Sequence, residues 1–547
     1  MSASSPSADA AGETAQGFDL LHQGWLPVLA VNGDDVPPVG LVELLVNAHK
    51  FRRIAGETPP MTAALYRLVL AFAHRVYGPS DDEAWSNLWR PVELPLDPLQ
   101  EYLAKYPGRF DLFHPERPFL QCPALTSCSM SSTAKLVAFR AAGNNVTLFD
   151  HTTATDRPLL SPAEAARWLV TVQAYDTGGT KTPYRNVKSS EKAPCNQFGC
   201  VLVEGATLKE TLLLNMPVYN PKRQKPDMTT ATDRPAWEEE RPPNPEPGEP
   251  RVPDGWTDLL TWPSRRILLS PRTAGDNTVV DGVVITPGTR LRSELQHIEL
   301  MAAFQRPPKK PRSKTRMPFS PVRLREHQGV WRHSQELLLA GDPDHQRPRT
   351  LDELSERMEE LIPESTEFTL RVFGQQLKPD GGAIECWFEE EVPAPVALLR
   401  AQDSRVGRLI GFAVTLADNV GRALRDMVIS YRKEFQAYRK EDHTKYTRDL
   451  DLAYWPNLPQ PFGTFLRGLG AALRSGGAEM PVVHEWSGAV RRVAHRAAEY
   501  WIEHSPDQAR GVFMAGKVHG AFTGSLESLI NRFEAETRHY AIGEEQT

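Results

Sequence analysis

The chain has 547 residues, 69 of them acidic and 63 basic, which gives a formal net charge of −6. Charged residues at 24% and apolar residues at 40% supply a core and exclude wholesale disorder, and at about 150 residues per domain the length suggests three or four folding units. No apolar run approaches the roughly 18–20 residues that span a bilayer.

Residues 1–17, rich in Ser, Ala and Gly with no basic or apolar segment, read as a disordered tail and not as a secretory signal. A soluble, cytoplasmic protein is therefore expected, with no membrane contact. Trp25-Leu26-Pro27-Val28, followed by Asn32-Gly33-Asp34-Asp35, predicts a strand entering a turn. Thr62 to Val76 predicts a helix with Leu65, Leu68, Val69 and Phe72 on one side. Residues 233–254 hold seven prolines and seven acids and read as a solvated, extended connector. Arg265 to Arg290 reads as short strands around two turns, Gly275-Asp276-Asn277 and Asp281-Gly282.

Proline marks the main boundary. Five of the 47 (Pro456, Pro459, Pro461, Pro481, Pro506) lie beyond residue 399, which leaves 42 in the first 399. Proline blocks helix interiors, so the C-terminal part is free to be helical. Val406, Leu409, Ile410, Ala413, Leu416, Val420, Leu424, Met427, Val428 and Tyr431 form one apolar stripe. Three more run from Phe462 to Leu473, from Trp486 to Trp501 and from Val512 to Phe533. The fold class expected is α+β: a tail (1–17), a large mixed N-terminal domain (18–395) and a C-terminal four-helix bundle (396–547).

Enzymatic signatures fail in turn. Gly178-Gly179-Thr180-Lys181-Thr182 ends like a P-loop, but G-x-x-x-x-G-K-[ST] is absent and no strand of the right kind is expected before it. His484-Glu485 begins like a zinc-protease motif, but Gly488 stands where the second histidine belongs. Neither G-x-S-x-G nor G-x-G-x-x-G occurs. Cys122, Cys128, Cys195, Cys200 and Cys386 include no C-x-x-C pair, so neither a disulfide framework nor a zinc ribbon is expected. The expectation is a protein with no catalytic residues, no cofactor and no metal. A hydrolase with a distributed active site remains the alternative from another class, because geometry and not chain order defines such sites.

The positive signal is a basic stretch. Arg306, Lys309, Lys310, Arg312, Lys314, Arg316, Arg323 and Arg325 fall in twenty residues without an acid, kept extended by Pro307, Pro308, Pro311, Pro318 and Pro321. Cations on such an arm release counterions when they meet phosphates; a solvated loop or a docking site for an acidic surface is the plainer reading. Thr177-Gly178-Gly179-Thr180 would let backbone approach a ligand, or is a turn. Arg405, Arg408, Arg422, Arg425, Arg492 and Arg496 could track a phosphate backbone, or are ordinary surface arginines. A standalone single-strand binder would interleave aromatic platforms with its cations, and only Phe304 and Phe319 lie near the arm.

From Phe18 onward the chain resembles the large-subunit (CasA) family of type I-E CRISPR Cascade. The stretches that carry the resemblance occur in order. Phe18-Asp19-Leu20-Leu21 and Gly24-Trp25-Leu26-Pro27-Val28 are followed by Phe113-His114-Pro115-Glu116-Arg117-Pro118-Phe119-Leu120-Gln121. Leu212-Leu213-Leu214-Asn215, Arg234-Pro235-Ala236-Trp237-Glu238, Gly255-Trp256 through Leu260-Thr261-Trp262-Pro263, and Tyr454-Trp455 complete the series.

The resemblance implies a non-catalytic subunit whose partners are CRISPR RNA, double-stranded target DNA, backbone and small Cascade subunits, and a helicase–nuclease. Such a subunit reads a protospacer-adjacent motif (PAM) and starts strand separation for R-loop formation, leaving sequence discrimination to guide pairing. It places PAM-contacting residues at Gly178, Gly179, Thr180 and Lys181 and in the arm at Lys309, Lys310 and Arg312. It places a wedge hairpin on Gly374 to Ile384, with Gln375, Gln376, Lys378, Gly381, Gly382 and Ala383 as candidates. A loop near the guide handle falls on Phe149, Asp150, His151 and Arg157. Many relatives carry glutamine at the wedge tip; this chain has Gly381-Gly382-Ala383 there, with its glutamines upstream.

Overall fold

The structure is a computed structural model that describes residues 17–138, 158–292, 294–306, 318–322, 329–340, 343–378, 381–401, 404–434, 443–504 and 509–541. The helix expected at Thr62–Val76 is α1, Pro59–Tyr77. Thr58 caps it by accepting from Met61 N at 3.3 Å, and Pro59 and Pro60 fill its first turn, where no amide donor is needed. The expectation of one apolar side understates it. α1 is buried on nearly every face, including Arg67 and His74, because α2 (Pro162–Tyr175) and the main sheet pack around it. Its polar groups are accordingly paired. Arg67 meets Glu299 at 3.0 Å with both side chains at 2% exposure or less, and Trp256 Nε1 donates to His74 Nε2 at 3.2 Å. Burial pulls His74 down to about 3, so it accepts that bond as neutral imidazole.

The strands run antiparallel in small sheets. β1 (Val28–Ala30) pairs with β2 (Phe51–Ile54), and β3 (Gly179–Tyr184) with β4 (Val187–Ser190). β5 (Cys200–Glu204) is wholly buried. β6 (Arg265–Ala274) and β7 (Asn277–Pro287) form one long hairpin. The two-residue turn Gly275-Asp276 closes it, with Gly275 at φ +62°. The second expected turn, Asp281-Gly282, is instead part of β7 opposite a bulge between Ser270 and Pro271. Glycine serves packing there, since a Cβ at Gly282 would lie 2.6 Å from Met130 Cγ. Two-residue strands β8 (Phe304–Gln305), β9 (Ser320–Pro321) and β10 (His345–Gln346) join in the order β10-β8-β9. β11 (Glu367–Leu377) and β12 (Ile384–Pro395) form the second long hairpin, in a sheet ordered β12-β11-β5.

The 233–254 segment is not a free connector. Asp233 accepts from the backbone amides of Thr257 and Asp258 at 3.1 and 2.9 Å. Trp237 is buried, and Glu238 accepts from Arg75, Tyr102 and Tyr106. Two acids read as solvated charges are thus caps and counterions inside the fold.

The C-terminal part is helical, as expected, with one reassignment. α3 (Ser404–Glu434), α4 (His443–Tyr454), α5 (Pro459–Ser475), α6 (Met480–Glu503) and α7 (Ala509–Thr537) follow one another. α3 packs on α4 and α7, and α6 closes the ring against both. The helix read from Phe462 to Leu473, α5, packs instead on α6, on β12 and on the short helix Val396–Arg400. α4 escaped notice because the described part of its buried side, Thr447, Leu450 and Tyr454, is set among charged neighbours.

The core runs unbroken from the N-terminal part into the bundle. Trp331 carries it across, with its ring 4.7 Å from Phe462 and 6.0 Å from Trp486 between centroids. Arg332 pairs with Asp418 of α3 at 2.6 Å. At Gly470 a Cβ would lie 2.8 Å from Pro395, so glycine lets α5 seat closely on β12. Trp331→Ala is expected to cost about 3–5 kcal/mol and to lower the melting of both parts together. Calorimetry showing two transitions, with only one displaced, would mean that the parts are uncoupled.

Candidate nucleic-acid interface

The glycine loop leaves the end of α2. That helix begins at a capping box, Ser161 with Glu164, and ends at Asp176, from which Thr177-Gly178 leads into β3. Gly179 has φ +112° with open space where a Cβ would project, a conformation that favours glycine. At Gly178 a Cβ would approach Lys192 N to 3.3 Å. Thr180 is exposed on β3, paired in register with Ser189.

Lys181 does not present its charge outward. Its ammonium lies 2.7 and 2.9 Å from the two carboxylate oxygens of Asp176, and its side chain is 16% exposed. Asp176 also receives Arg265 Nε at 2.5 Å. Burial alone would raise the Asp176 carboxyl, but Arg265 and Lys181 outweigh it and hold the group below the ordinary carboxylate value. The hairpin's exposed cations are Arg185 in its turn, which pairs with Glu246, and Lys188 on β4; sequence reading singled out neither.

The same helix end anchors the second hairpin. Gln375 Nε2 donates to Tyr175 O at 2.9 Å and to Asn196 Oδ1 at 2.7 Å, while its Oε1 accepts from Trp387 Nε1 at 2.9 Å. Asn196 in turn donates to the carbonyls of Tyr175 and Asp176. Arg265 reaches the carbonyls of Thr177 and Glu191. Glycine loop and hairpin therefore share one hydrogen-bonded hub.

Gln375 lies near the turn end of β11, opposite Trp387, but its side chain is buried and not presented at the tip; its three hydrogen bonds give it an anchoring part. Gln376 bonds across to Glu385 at 2.5 Å. Gly374 is mid-strand, where a Cβ would strike the Phe388 ring. The turn is Lys378 to Ala383, closed by Lys378 N to Ala383 O at 2.9 Å and Gly381 N to Lys378 O at 2.7 Å. Gly381 sits at φ +72°, and Lys378 and Gly382 are exposed. Along edge strand β12, Glu385, Glu389 and Glu391 are exposed, Glu389 pairing with the buried Arg371 and Glu391 with Arg53.

Phe149, Asp150, His151 and Arg157 lie outside the described residues, but both flanks of that loop are placed. Ser131 and Leu160 bridge to Val283 and Val280 of β7, and Thr133 Oγ1 donates to Pro158 O. Residues 134–138 wall a cavity of about 60 Å3 together with Tyr175, Thr177, Gln375, Ile384 and Trp387. The flank of the handle loop, the glycine loop and the turn end of the hairpin thus meet at one place. Lys309, Lys310 and Arg312 also lie outside the described residues. β8 pairs antiparallel with β9, Phe304 opposite Pro321 and Gln305 opposite Ser320, so their arm leaves and re-enters one strand pair. Arg306 stacks on Phe319 at 4.2 Å at its root.

Of the bundle arginines, Arg405 bonds Glu479 and Tyr540 O, Arg408 bonds the Tyr540 hydroxyl, and Arg425 bonds Asp451. Arg408, Arg422, Arg492 and Arg496 are exposed, and Arg405 and Arg425 are half-buried. Among the described residues, no group of three or more His, Cys, Asp or Glu side chains is arranged to hold a metal ion, and no helix is long and apolar enough to cross a membrane.

Residues 19–497 match the family model of CRISPR-associated protein Cse1. The chain is 32% identical over 476 residues to CRISPR-associated protein CasA/Cse1 of Thermus thermophilus, covering 82% of this chain and 86% of that one. The crystal structure of Thermobifida fusca Cse1 superposes with TM-score 0.79 at 28% identity, over 94% of this chain and 98% of that one. A chain of a CRISPR RNA-guided surveillance complex shares the fold with TM-score 0.71 at 23% identity, over 95% and 99%. With residues 19–497 matched by the family model and a 32%-identical relative matched over 86% of its length, the chain belongs to the CRISPR-associated protein Cse1 family.

Proposed function

We propose that this chain is the non-catalytic large subunit of a type I-E Cascade, a cytoplasmic complex assembled with CRISPR RNA and with backbone and small subunits. In this reading it recognises the PAM in duplex DNA, starts strand separation for R-loop formation and helps to recruit the helicase–nuclease. The observation that carries the reading is the hub at Tyr175–Asp176. It fixes a glycine loop suited to close backbone approach and a projecting hairpin suited to wedging, elements far apart in sequence, in one rigid frame.

Each element takes a part set by its chemistry. Gly178, Gly179 and Thr180 offer backbone to a groove edge, and the arm cations Lys309, Lys310 and Arg312 reach into the groove, where long cations suit the narrow minor-groove surface. Lys181 acts from behind, fixing the loop through Asp176. The wedge is the Lys378–Ala383 tip, with Gln375 as its anchor. The acidic flank of β12 repels phosphates, so duplex DNA meets the hairpin end-on at Lys378 and Gly382. The handle loop at Phe149–Arg157 lies on the guide side.

Two mutations separate reading from opening. Lys310→Ala, or Lys309→Ala, is expected to weaken binding of PAM-bearing duplex by about 1–3 kcal/mol if the cation reads a base edge. Replacing Gly381-Gly382 with bulkier residues is expected to leave initial binding and to alter opening of the first base pairs, since unstacking costs a few kcal/mol per step after docking. Gel-shift affinity beside permanganate footprinting, with all subunits present, reads both; equal losses in both assays would refute separate roles.

The hub itself is open to test. Asp176→Asn leaves Arg265, 2% exposed, without its carboxylate, at an expected cost of about 3–5 kcal/mol. Because the folded Asp176 is held below its unfolded value, its contribution is complete above about pH 4 and is lost as pH falls through the folded value. Thermal unfolding against pH should therefore show a steeper acid loss for the wild type than for Asp176→Asn. Identical acid limbs would remove Asp176 from this role.

A further inference from the structure

Three of the sequence stretches that mark the family, and that play no part in the DNA-reading frame, come together at a second place. Arg117-Pro118-Phe119-Leu120-Gln121, Arg234 to Trp237, and Thr261 to Pro263 wall a cavity of about 120 Å3, closed from below by the first residues of β6. A single water needs about 10–15 Å3 on this measure, so the space admits a group of several heavy atoms.

Its lining is strongly cationic: seven arginines against two carboxylates, Glu239 and Asp258. Three of the seven are neutralised. Arg251 holds Asp258 through two bonds, at 2.5 and 2.9 Å, Arg234 holds Glu239 at 2.9 Å, and Arg265 belongs to Asp176. Arg109, Arg117, Arg241 and Arg266 have no carboxylate partner among the described residues, and Arg109 donates to the Glu239 carbonyl at 2.8 Å.

Arg266 is the telling member. It is 6% exposed, yet its guanidinium donates only to neutral acceptors: Asn244 O at 2.7 Å, Pro263 O at 3.0 Å and Thr289 Oγ1 at 2.9 Å. Burial first, and Arg251 nearby, bring it down to about 10, which still leaves it charged at neutral pH. A buried cation without a counter-charge is costly. Here it borders a cavity whose mouth carries the exposed Arg117 and Arg241. Guanidinium groups converging on a small cavity are the usual recognition chemistry for a phosphoryl group.

We propose that this cavity binds a phosphate group, free or carried by a nucleotide, with Arg266 at its floor and Arg117 and Arg241 at its mouth. The test is calorimetric titration of the full chain with inorganic phosphate, AMP and adenosine, at ionic strength held constant with chloride. Saturable binding of phosphate or AMP, and none of adenosine, is expected. AMP binding more tightly than phosphate identifies a nucleotide as the source, and equal binding identifies the free anion. Arg117→Gln with Arg241→Gln should weaken binding at least about tenfold, and Arg266→Met should abolish it. If Arg266 only ties three neutral acceptors together, Arg266→Met lowers the melting temperature by the same amount with and without phosphate, which overturns the proposal. So does the lack of saturable phosphate binding, or binding unchanged in the mouth variant. Should Arg266→Met fail to fold, the mouth variant alters exposed residues only and decides alone.

Discussion

The frame of the molecule depends on one half-buried carboxylate. Asp176 closes α2, and the cations that hold it come from β3 and β6. Taking a lone carboxylate out of water is costly, and removing a partner from such a cluster costs more than the cluster gains by forming. The segments that meet there are consequently locked as a set. Backbone carbonyls complete the lock, since Arg265 and Asn196 satisfy those of residues 175–177 and 191 that would otherwise be orphaned in the turn. A glycine loop is ordinarily the most pliable part of a fold; here its approach is clamped, and freedom is left only at Gly179 and beyond.

Similar pairing recurs wherever charge goes inside. Arg67 crosses the core to Glu299, and Glu204 at 1% exposure gathers Arg52, Arg53 and Arg371 from two other strands. Such groups specify which surfaces face each other more than they add stability. Trp331 does the corresponding work by shape, filling the space between Phe462 and Trp486. That explains why a boundary so clear in proline content is not a boundary in the core.

How far the sequence was legible follows from which forces are local. α1, the turn at Gly275-Asp276 and the long helices of the bundle were legible because periodicity, caps and turn residues act within a few positions. Gly282 was read as a turn because glycine's other use, making room for Met130, is set by a contact distant in the chain. The 233–254 segment misled because composition shows acids and prolines without showing that Glu238 faces Arg75, Tyr102 and Tyr106. α4 was hidden because the described part of its buried side, Thr447, Leu450 and Tyr454, is set among charged neighbours. At the candidate site the glycine loop and the hairpin were found through family resemblance. That Lys181 turns inward and that Gln375 is an anchor were not legible, because both depend on Asp176 and Asn196 arriving from elsewhere in the chain.

The distribution of charge gives these elements a direction. A chain of net −6 attracts no polyanion as a whole, so attraction must come from local excess. Edge strand β12 exposes Glu385, Glu389 and Glu391, which also guards an exposed sheet edge against pairing with another strand. Its neighbour at the turn, Lys378, has the opposite sign, and Lys188 stands exposed on the hairpin of the glycine loop. Negative charge is thus gathered along the flank, and positive charge stands near the ends of the two hairpins. Both are anchored at the Tyr175–Asp176 turn, so the spacing of one hairpin from the other is set by the hub, and not by the flexibility of either loop.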